Sequence, residues 1–266
     1  MARKTTTRRT TAKRTTGPQN KILGIDIGGT GIKAAPVDIT KGVLLKERFR
    51  IETPQPPTPR AMLEVIAQLI EHWKWKGEIG CGFPGVLKHG VVHTAANLSK
   101  QWIGVNIQEQ IERISSCQAV VINDADSAGL AEMKFGAGKE YNKHGGGVVV
   151  MVTLGTGIGT AVFVDGHLVH NTELGHIEID GKDAETRAAA SVRERKKMSW
   201  KKWGGRVNTY LQTMEKLLSP DLFVIGGGVS KKPDKFFEYI ELKAKIVPAE
   251  MHNDAGIVGA ALSTEL

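Results

Sequence analysis

The sequence has few of the features that would place a protein in a membrane, in an oxidising compartment or among zinc proteins. Only two cysteines, Cys81 and Cys117, occur in 266 residues, which is too few for a disulfide framework or a four-thiolate zinc site. No apolar run reaches about 18 residues, the length that indicates a membrane helix. The amino terminus also lacks the apolar segment of a secretory signal. We therefore expect a cytoplasmic protein without a membrane partner.

Acidic residues are missing from the first 20 positions, which contain six Lys and Arg residues. The remainder has 30 basic and 28 acidic residues, so most of the net charge of +8 belongs to this tail. Residues 1–20 are poor in apolar side chains, and we expect them to be disordered. Three interpretations stay open: a solvated extension, an arm that binds polyanions, or an organelle transit peptide, for which the segment lacks an apolar face.

The chain after residue 20 has the composition and patterning of a globular α/β protein. Its strands and helices alternate after three initial strands, which predicts mixed sheets flanked by helices. We expect two lobes, residues 21–122 and 123–254, and the last helix, 255–266, is a candidate to return to the first lobe. The predicted strands are 22–27, 32–37, 44–51, 78–83, 119–122, 148–154, 160–164 and 222–225. The predicted helices are 59–75, 106–114, 125–135, 184–198, 199–218, 235–240 and 255–262.

The first motif, Gly24–Thr30, reads Gly-Ile-Asp-Ile-Gly-Gly-Thr. A buried strand would carry Asp26 to its end, and the two glycines would let backbone N–H groups approach an anion. The overlapping segment Gly29–Ala34 matches the dinucleotide pattern G-x-G-x-x-A, but that pattern needs a helix next, and a strand is predicted here. Since Asp26 would repel a phosphate, the motif predicts either a cation-bridged phosphate site or a structural turn.

Two more glycine loops follow apolar strands. Thr153–Thr160 reads Thr-Leu-Gly-Thr-Gly-Ile-Gly-Thr and adds hydroxyl donors to its backbone amides, and Phe223–Val229 contains three consecutive glycines. A single glycine loop is a weak indication of phosphate binding. Three strand–glycine loops in one chain of this size predict a bipartite phosphate-binding protein.

Polar residues capable of acid–base chemistry occur at two places. Residues 121–126 read Val-Ile-Asn-Asp-Ala-Asp, so Asp124 or Asp126 is either a helix N-cap or a general base at a strand end. Glu173 and His176 are three residues apart and could bind a polyol or a metal. No cysteine follows Cys117, so a zinc site would lack soft ligands, and we favour the polyol.

The ordered set of motifs resembles the ROK family (repressors, open reading frames and sugar kinases) of the actin-like, hexokinase-like ATPase superfamily. The segments that carry the resemblance are Gly24–Thr30, Gly82–Gly85, Asn97–Leu98, Asn123–Asp124, Leu154–Gly159, Glu173–His176 and Ile225–Gly228. Two further segments, 178–185 and 219–232, are similar to members of that family that phosphorylate glucose with polyphosphate.

The resemblance implies a two-lobed actin-like (ribonuclease H-like) ATPase fold, a sugar in the cleft between the lobes, and a homodimer. Asp124 matches the base that deprotonates the 6-hydroxyl of the sugar. The implied sugar-binding residues are Asn97, Asn123, Asp124, Glu173, His176 and Glu185. The implied phosphate- or nucleotide-binding residues are Asp26, Gly28, Gly29, Thr30, Lys33, Thr153, Gly155, Thr156, Gly157, Gly226, Gly227 and Gly228, with Asp26 as the Mg²⁺ ligand.

Two familiar parts of the family are not found in this sequence. The cysteine-rich zinc loop is missing, which argues against zinc, and no segment resembles the helix-turn-helix domain of the repressors. We therefore expect an enzyme that does not bind DNA.

A basic stretch is the predicted contact for an extended polyanion. Residues 187–206 contain eight basic residues against Glu194 alone, and two lysines follow the third glycine loop. A solvated helix face is the alternative. The predicted track comprises Arg187, Arg193, Arg195, Lys196, Lys197, Lys201, Lys202, Arg206, Lys231 and Lys232.

The sequence thus predicts a glucokinase that uses polyphosphate, with ATP as a further candidate donor. The alternatives are a glucokinase that uses only ATP and a non-catalytic sensor of sugar or polyphosphate. The intact Asp124 and the three glycine loops favour an enzyme, because a sensor need not keep the base.

Overall fold

The structure, a computed structural model, describes residues 20–95 and 98–266. Its strands are β1 (Lys21–Ile27), β2 (Gly31–Asp38), β3 (Val43–Leu44), β4 (Phe49–Glu52), β5 (Ile79–Phe83), β6 (Leu87–Lys88), β7 (Val91–Val92), β8 (Ala119–Asn123), β9 (Val148–Leu154), β10 (Ile158–Val164), β11 (His167–Val169), β12 (Glu178–Ile179), β13 (Lys182–Asp183), β14 (Leu222–Gly226) and β15 (Lys245–Pro248). Its α-helices are α1 (Pro59–His72), α2 (Ile107–Ser115), α3 (Asp124–Phe135), α4 (Glu185–Ala188), α5 (Ala190–Arg195), α6 (Trp200–Leu218) and α7 (Ala255–Leu262).

The first sheet has the strand order β3-β2-β1-β5-β8, with β4 also pairing with β2. β1 and β2 form an antiparallel hairpin, whereas β5 runs parallel to both β1 and β8. Because β1, β5 and β8 are parallel, the residues at their carboxyl ends lie along one edge of the sheet. That edge carries Asp26 from β1 and Asn123 from β8.

The second sheet has the order β11-β10-β9-β14-β15. β9 and β10 are antiparallel, and β14 runs parallel to β9 and β15. Helix α6 covers one face and buries Trp203, Val207, Tyr210 and Leu211 in the apolar cluster of this sheet. The second and third glycine loops follow β9 and β14, so parallel pairing places them side by side.

Helix α7 packs against the first sheet and against α3 with very little space between backbones. A Cβ atom at Gly24 of β1 would collide with the carbonyl oxygen of Ile257, and one at Gly80 of β5 would collide with that of Ala260. A Cβ atom at Gly259 would in turn collide with the backbone of Ser127 in α3. Glycine at these three positions is required by the close approach rather than by backbone dihedral angles.

Most predicted elements are confirmed, and the differences have local causes. The predicted strand 44–51 is two short strands, β3 and β4, separated by a turn. The predicted helix 184–198 is broken into α4 and α5 at Ala189, whose φ and ψ of −57° and 148° are extended. The predicted helix 235–240 consists of 3₁₀ turns, Pro233–Lys235 and Phe237–Tyr239.

Six short strands were not predicted, because two- to four-residue segments carry too little periodicity. They are β6, β7, β11, β12, β13 and β15. The tail 1–20, apart from Asn20, lies outside the described residues, and the proposed lobe boundaries stay a prediction. No helix in the described part of the chain has the length and apolar character needed to cross a membrane.

We predict that Gly80→Ala lowers the free energy of unfolding by about 1–3 kcal/mol, because the added methyl group must displace α7 from β5. The matched control is Gly205→Ala, in an exposed position of α6 where a Cβ atom meets nothing within 4 Å. This control should raise stability by up to about 1 kcal/mol through helix propensity. Urea denaturation of both variants tests the prediction, and equal stability of the two would contradict it.

Candidate active site

A cleft of about 690 Å³ lies between the first sheet and the loops of the second. The segments around it include Pro84–Gly85, His93–Ala95, the start of α3 and the loop after β9. The predicted site residues that line it are Gly29, Asn123, Asp124, Thr153, Gly155, Thr156, Gly157, Glu173, His176, Glu185 and Gly227. Residues that are distant in sequence thus converge on one cavity.

Asn123 caps helix α3 and so fixes the position of the neighbouring Asp124. The Asn123 side-chain oxygen accepts hydrogen bonds from the backbone N–H groups of Ala125 and Asp126 at 2.8 and 3.1 Å. Its amide group donates to the carbonyl oxygen of Gly85 at 3.3 Å. The N-cap alternative for Asp124 and Asp126 is therefore wrong, since Asn123 has that role and Asp124 is the first helical residue.

The Asp124 carboxylate lies half-buried in the cleft, in an environment that favours its protonated form. Its pKa is raised to about 7, first by burial and then by the negative charge of Asp26. Glu173 raises it further, while a hydrogen bond from the Ala125 N–H at 2.9 Å acts in the opposite direction. A carboxyl group with a pKa near neutrality is suited to exchange a proton with a bound hydroxyl.

Asp26 and Lys33 form an ion pair across the β1–β2 hairpin. The Lys33 Nζ lies 3.3 Å from the Asp26 Oδ2, and the Asp26 side chain is 18% exposed. The first turn of α7 closes the other side, because a Cβ atom on Gly256 would lie 2.8 Å from the Asp26 carboxyl carbon. Asp26 therefore lies next to the cleft in a tightly enclosed position, with a cation already beside it.

Neighbouring residues hold the loop between β1 and β2 in place. Thr53 donates its hydroxyl to the carbonyl oxygen of Gly28 at 2.6 Å, and the Arg50 guanidinium donates to that of Thr30 at 2.6 Å. These bonds leave Gly29 at the cleft wall. The prediction that a strand, and not a helix, follows the first glycine motif is confirmed, since β2 begins at Gly31.

The loop after β9 separates the cleft from a second cavity. Ser191 holds this loop from behind, donating its hydroxyl to the Thr156 carbonyl oxygen at 2.6 Å and its N–H to that of Gly155 at 3.0 Å. Gly155 and Thr156 line both cavities. A molecule that extends from the cleft across this loop would reach the second cavity.

Glu173, His176 and Asp183 form a charged group on the opposite wall of the cleft. The His176 Nδ1 lies 2.8 Å from the Asp183 carboxylate, and its Nε2 lies 3.9 Å from that of Glu173. The hydrogen bond to Asp183 is the main reason that the pKa of His176 is raised. Burial raises the pKa of Glu173, while His176 lowers it. The group presents both acceptors and a donor to a polyol.

Glu185 supports the second glycine loop directly. Its Oε2 accepts a hydrogen bond from the Ile158 N–H at 2.8 Å, and a Cβ atom on Gly157 would collide with its carboxylate. A side chain at 157 would therefore have to displace the Glu185 carboxylate from its present position. Glu185 also lines the cleft. Its role in sugar binding stays a prediction.

The second cavity has a volume of about 310 Å³ and is lined by two basic side chains, one acidic side chain, Glu194, and the aromatic ring of Trp200. The Arg193 guanidinium carbon lies 3.6 Å from the centre of the Trp200 ring. Arg193 Nε is buried and has no hydrogen-bond partner among the described residues. The exposed side chain of Lys232 and Gly228 of the third glycine loop complete the wall.

Residues 22–190 match the model of the ROK family. The chain belongs to the ROK family. It is 47% identical over 243 residues to the polyphosphate glucokinase of Mycobacterium tuberculosis (strain CDC 1551 / Oshkosh), covering 91% of this chain and 90% of the relative.

Two solved structures are similar to this fold. One is the inorganic polyphosphate/ATP-glucomannokinase of Arthrobacter sp. strain KM, with a TM-score of 0.87 and 47% identity over 92% of this chain and 98% of the other. The other is a ROK family glucokinase of Streptomyces griseus in complex with glucose and AMPPNP, with a TM-score of 0.79 and 22% identity over 92% and 100% of the two chains. The predicted α/β actin-like fold is confirmed.

Some predicted site residues line neither of the two cavities. They are Asp26, Gly28, Thr30, Lys33 and Gly226. Asn97 lies outside the described residues, so its predicted role is untested.

The residues of the predicted basic track differ in their surroundings, and the track itself stays a prediction. Arg193 and Lys232 line the second cavity, whereas Arg187 binds the Asp180 carboxylate and the Ile179 carbonyl oxygen, both at 3.1 Å. Arg206 donates to the Arg187 carbonyl oxygen at 3.2 Å. The remaining basic residues are exposed around α5 and α6 or next to Lys232: Arg195, Lys196, Lys197, Lys201, Lys202 and Lys231.

Several cleft residues were not predicted as site residues. His93 and Thr94 line the cavity, and Asp183 orients His176. No local motif marks the first two, which follow the short strand β7. Asp183 lies in segment 178–185, which carries part of the family resemblance. Its contact with His176 depends on the pairing of β12 with β13, which the sequence analysis did not predict.

We predict that Asp26→Asn lowers the pKa of Asp124 below about 7, because it removes the negative charge that opposes the ionisation of Asp124 most strongly. A ¹³C carboxyl NMR titration of aspartate-labelled protein measures the shift. Asp38→Asn is the control, since Asp38 lies opposite Lys21 in the strand register, at the end of the β1–β2 hairpin that is far from Asp26. An unchanged Asp124 pKa in Asp26→Asn would contradict the prediction.

Proposed function

We propose that this protein is a glucokinase that transfers a phosphoryl group from inorganic polyphosphate to the 6-hydroxyl of glucose. The observation that carries the proposal is the Asp124 carboxylate, which faces the cleft with its pKa raised to about 7. The 47% identity to a mycobacterial polyphosphate glucokinase supports the same reaction.

The proposed reaction is an in-line displacement. Glucose lies in the cleft with its 6-hydroxyl against Asp124, which accepts the hydroxyl proton while the oxygen attacks the terminal phosphorus. A new phosphorus–oxygen bond to glucose forms as the bond to the next phosphate breaks. The products are glucose 6-phosphate and a polyphosphate that is one unit shorter.

The sugar-binding side of the cleft comprises the groups that present fixed donors and acceptors. Glu173 and His176 would accept and donate hydrogen bonds to the ring hydroxyls, and Asn123 would add its remaining amide hydrogen. Asn97 and Glu185 stay predicted sugar ligands. Such fixed polar groups orient the acceptor, which accounts for much of the rate in phosphoryl transfer.

The residues present fit a divalent cation that is held mainly by substrate. The described residues contain no cluster of three or more His, Cys, Asp or Glu side chains that could form a protein cage. Mg²⁺ usually binds one or two carboxylates together with substrate phosphates, and Asp26 is the carboxylate that would hold it here. When bound, the cation would neutralise charge on the phosphate being transferred. Lys33 beside Asp26 would add positive charge on the same side.

The donor is proposed to extend over the loop after β9 into the second cavity. Arg193 and Lys232 offer charge there, and Ser191 and Gly228 surround the same space. The Arg193 guanidinium lies over one face of Trp200, and Phe236 stacks with the same ring at 6.2 Å and 18° between planes. Both groups reduce the aromatic surface available for an adenine base, which favours a chain of phosphates.

The homodimer that the family resemblance implies, the cytoplasmic location and the lack of DNA binding stay predictions. Sedimentation equilibrium at several protein concentrations tests the first of them. A monomer at all concentrations would contradict it.

We predict that Asp124→Asn lowers kcat by about 10²–10⁴-fold, because the amide cannot accept the proton. Glucose affinity, measured by calorimetry, should change by less than about threefold. In the unsubstituted protein kcat/KM for glucose should fall about tenfold per pH unit below pH 7, since a raised pKa leaves Asp124 protonated there. Activity of Asp124→Asn within about tenfold of the original would contradict the role of base.

We predict that initial rates of glucose phosphorylation with Mg²⁺ are far higher with long-chain polyphosphate than with ATP at equal phosphoryl concentration. Arg193→Leu and Lys232→Ala should each raise the KM for polyphosphate by about tenfold, the effect of one charge-assisted contact. Arg60→Ala is the control, since Arg60 is 91% exposed on α1 and pairs with Glu64.

Activity with ATP alone would support the assignment as a sugar kinase and contradict polyphosphate as the donor. Glucose binding without activity from either donor would favour a sensor.

A further inference from the structure

The backbone around Glu173 is held by buried groups that the proposed reaction does not use. Asn171, two residues earlier, has a left-handed φ of 59°, and its N–H donates to the Asp126 Oδ2 at 2.9 Å. Thr160 of β10 donates its hydroxyl to the Thr172 carbonyl oxygen at 2.6 Å and accepts from the Leu174 N–H at 3.1 Å. Glu173 therefore has a fixed hydrogen-bonded neighbour on either side.

Asn171 also joins this turn to the first half of the chain. Its side-chain oxygen accepts from the Leu87 N–H at 2.9 Å, and its amide donates to the Leu87 carbonyl oxygen at 2.8 Å. Leu87 belongs to β6, which follows directly after the Pro84–Gly85 wall of the cleft. One residue thus connects both walls of the cavity.

Asp126 is itself held by the same helix start that presents Asp124. It is fully buried, and its N–H donates to the Asn123 side-chain oxygen at 3.1 Å. Its Oδ1 has no hydrogen-bond partner among the described residues. A buried carboxyl group without hydrogen bonds is costly, and within the described residues the Asp126 carboxyl accepts one only from Asn171, in the turn that precedes Glu173.

We propose that Asp126 is a positioning residue. Through Asn171 it holds the Glu173 carboxylate at a fixed position relative to Asp124 in the cleft. The path runs from Asn123 to Asp126, to Asn171 and then to Glu173, and every link is a hydrogen bond or a peptide connection described above. The identity of the ligand that Glu173 binds rests on the proposed function. The positioning itself does not.

The first test is hydrogen exchange, which needs no substrate. In Asp126→Ala the backbone amides of residues 171–174 should exchange about tenfold faster or more, because the Asn171 N–H loses its buried hydrogen-bond acceptor. Asp126→Asn keeps one acceptor oxygen and should restore most of the protection. Ser127→Ala is the matched control, since the Ser127 hydroxyl is buried in the next position of α3 and has no hydrogen-bond partner in residues 20–95 and 98–266.

The second test separates positioning from general loss of structure. Asp126→Ala should raise the KM for glucose by about tenfold and leave the KM for polyphosphate within about twofold, with Asp126→Asn near the original value. In a Glu173→Gln background the same substitution should have little further effect on the KM for glucose, because residues that act through one another are not additive. Asn171→Gly, which tolerates the left-handed backbone but loses the bonds to Leu87, should raise the KM for glucose while leaving exchange at residue 171 slow.

Unchanged exchange at 171–174 in Asp126→Ala would overturn the inference. An effect on the KM for glucose of equal size with and without Glu173 would also overturn it, as would equal changes in Ser127→Ala. Faster exchange in a protein that does not bind glucose would support the positioning and refute the proposed function.

Discussion

The close packing of α7 on the first sheet is the constraint on which the rest of the structure depends. Its carbonyl groups lie against Gly24 and Gly80, and Gly259 lies against the backbone of α3. The side chain of even one alanine at these contacts would force the elements apart. The same helix therefore sets the distance between β1, which presents Asp26, and α3, which begins with Asp124.

That distance contributes to the electrostatics of the cleft. Burial is the main reason that the pKa of Asp124 is raised, and the negative charge of Asp26 nearby raises it further. Lys33 compensates the charge of Asp26 but not that of Asp124. The site thus has one carboxylate suited to hold positive charge and one suited to take up a proton.

The loop after β9 divides the surroundings of the reacting atoms into two parts. On one side lie Glu173 and His176, with hydrogen-bonding groups in fixed orientation, and on the other lie Arg193 and Lys232 with positive charge. The loop between them consists of small residues, and the Glu185 carboxylate occupies the space next to Gly157. An acceptor with hydroxyl groups and a donor with many negative charges match these two sides.

The sequence alone determined elements that are continuous apolar runs, such as β9 and α7, because such runs are recognised from residues within a few positions of one another. It left Asp124 and Asp126 both open as the base, and the family resemblance selected Asp124. Tertiary structure decided what depends on contacts between distant segments. It broke the predicted helix 184–198 at Ala189, turned Arg187 and Arg206 toward protein groups, and made Asn123 rather than an aspartate the cap of α3. It also gave Asp126 a partner 45 residues away, which no local pattern could indicate. Hydrogen bonds and charges act through space, so residue types alone cannot say which of several basic or acidic side chains will meet.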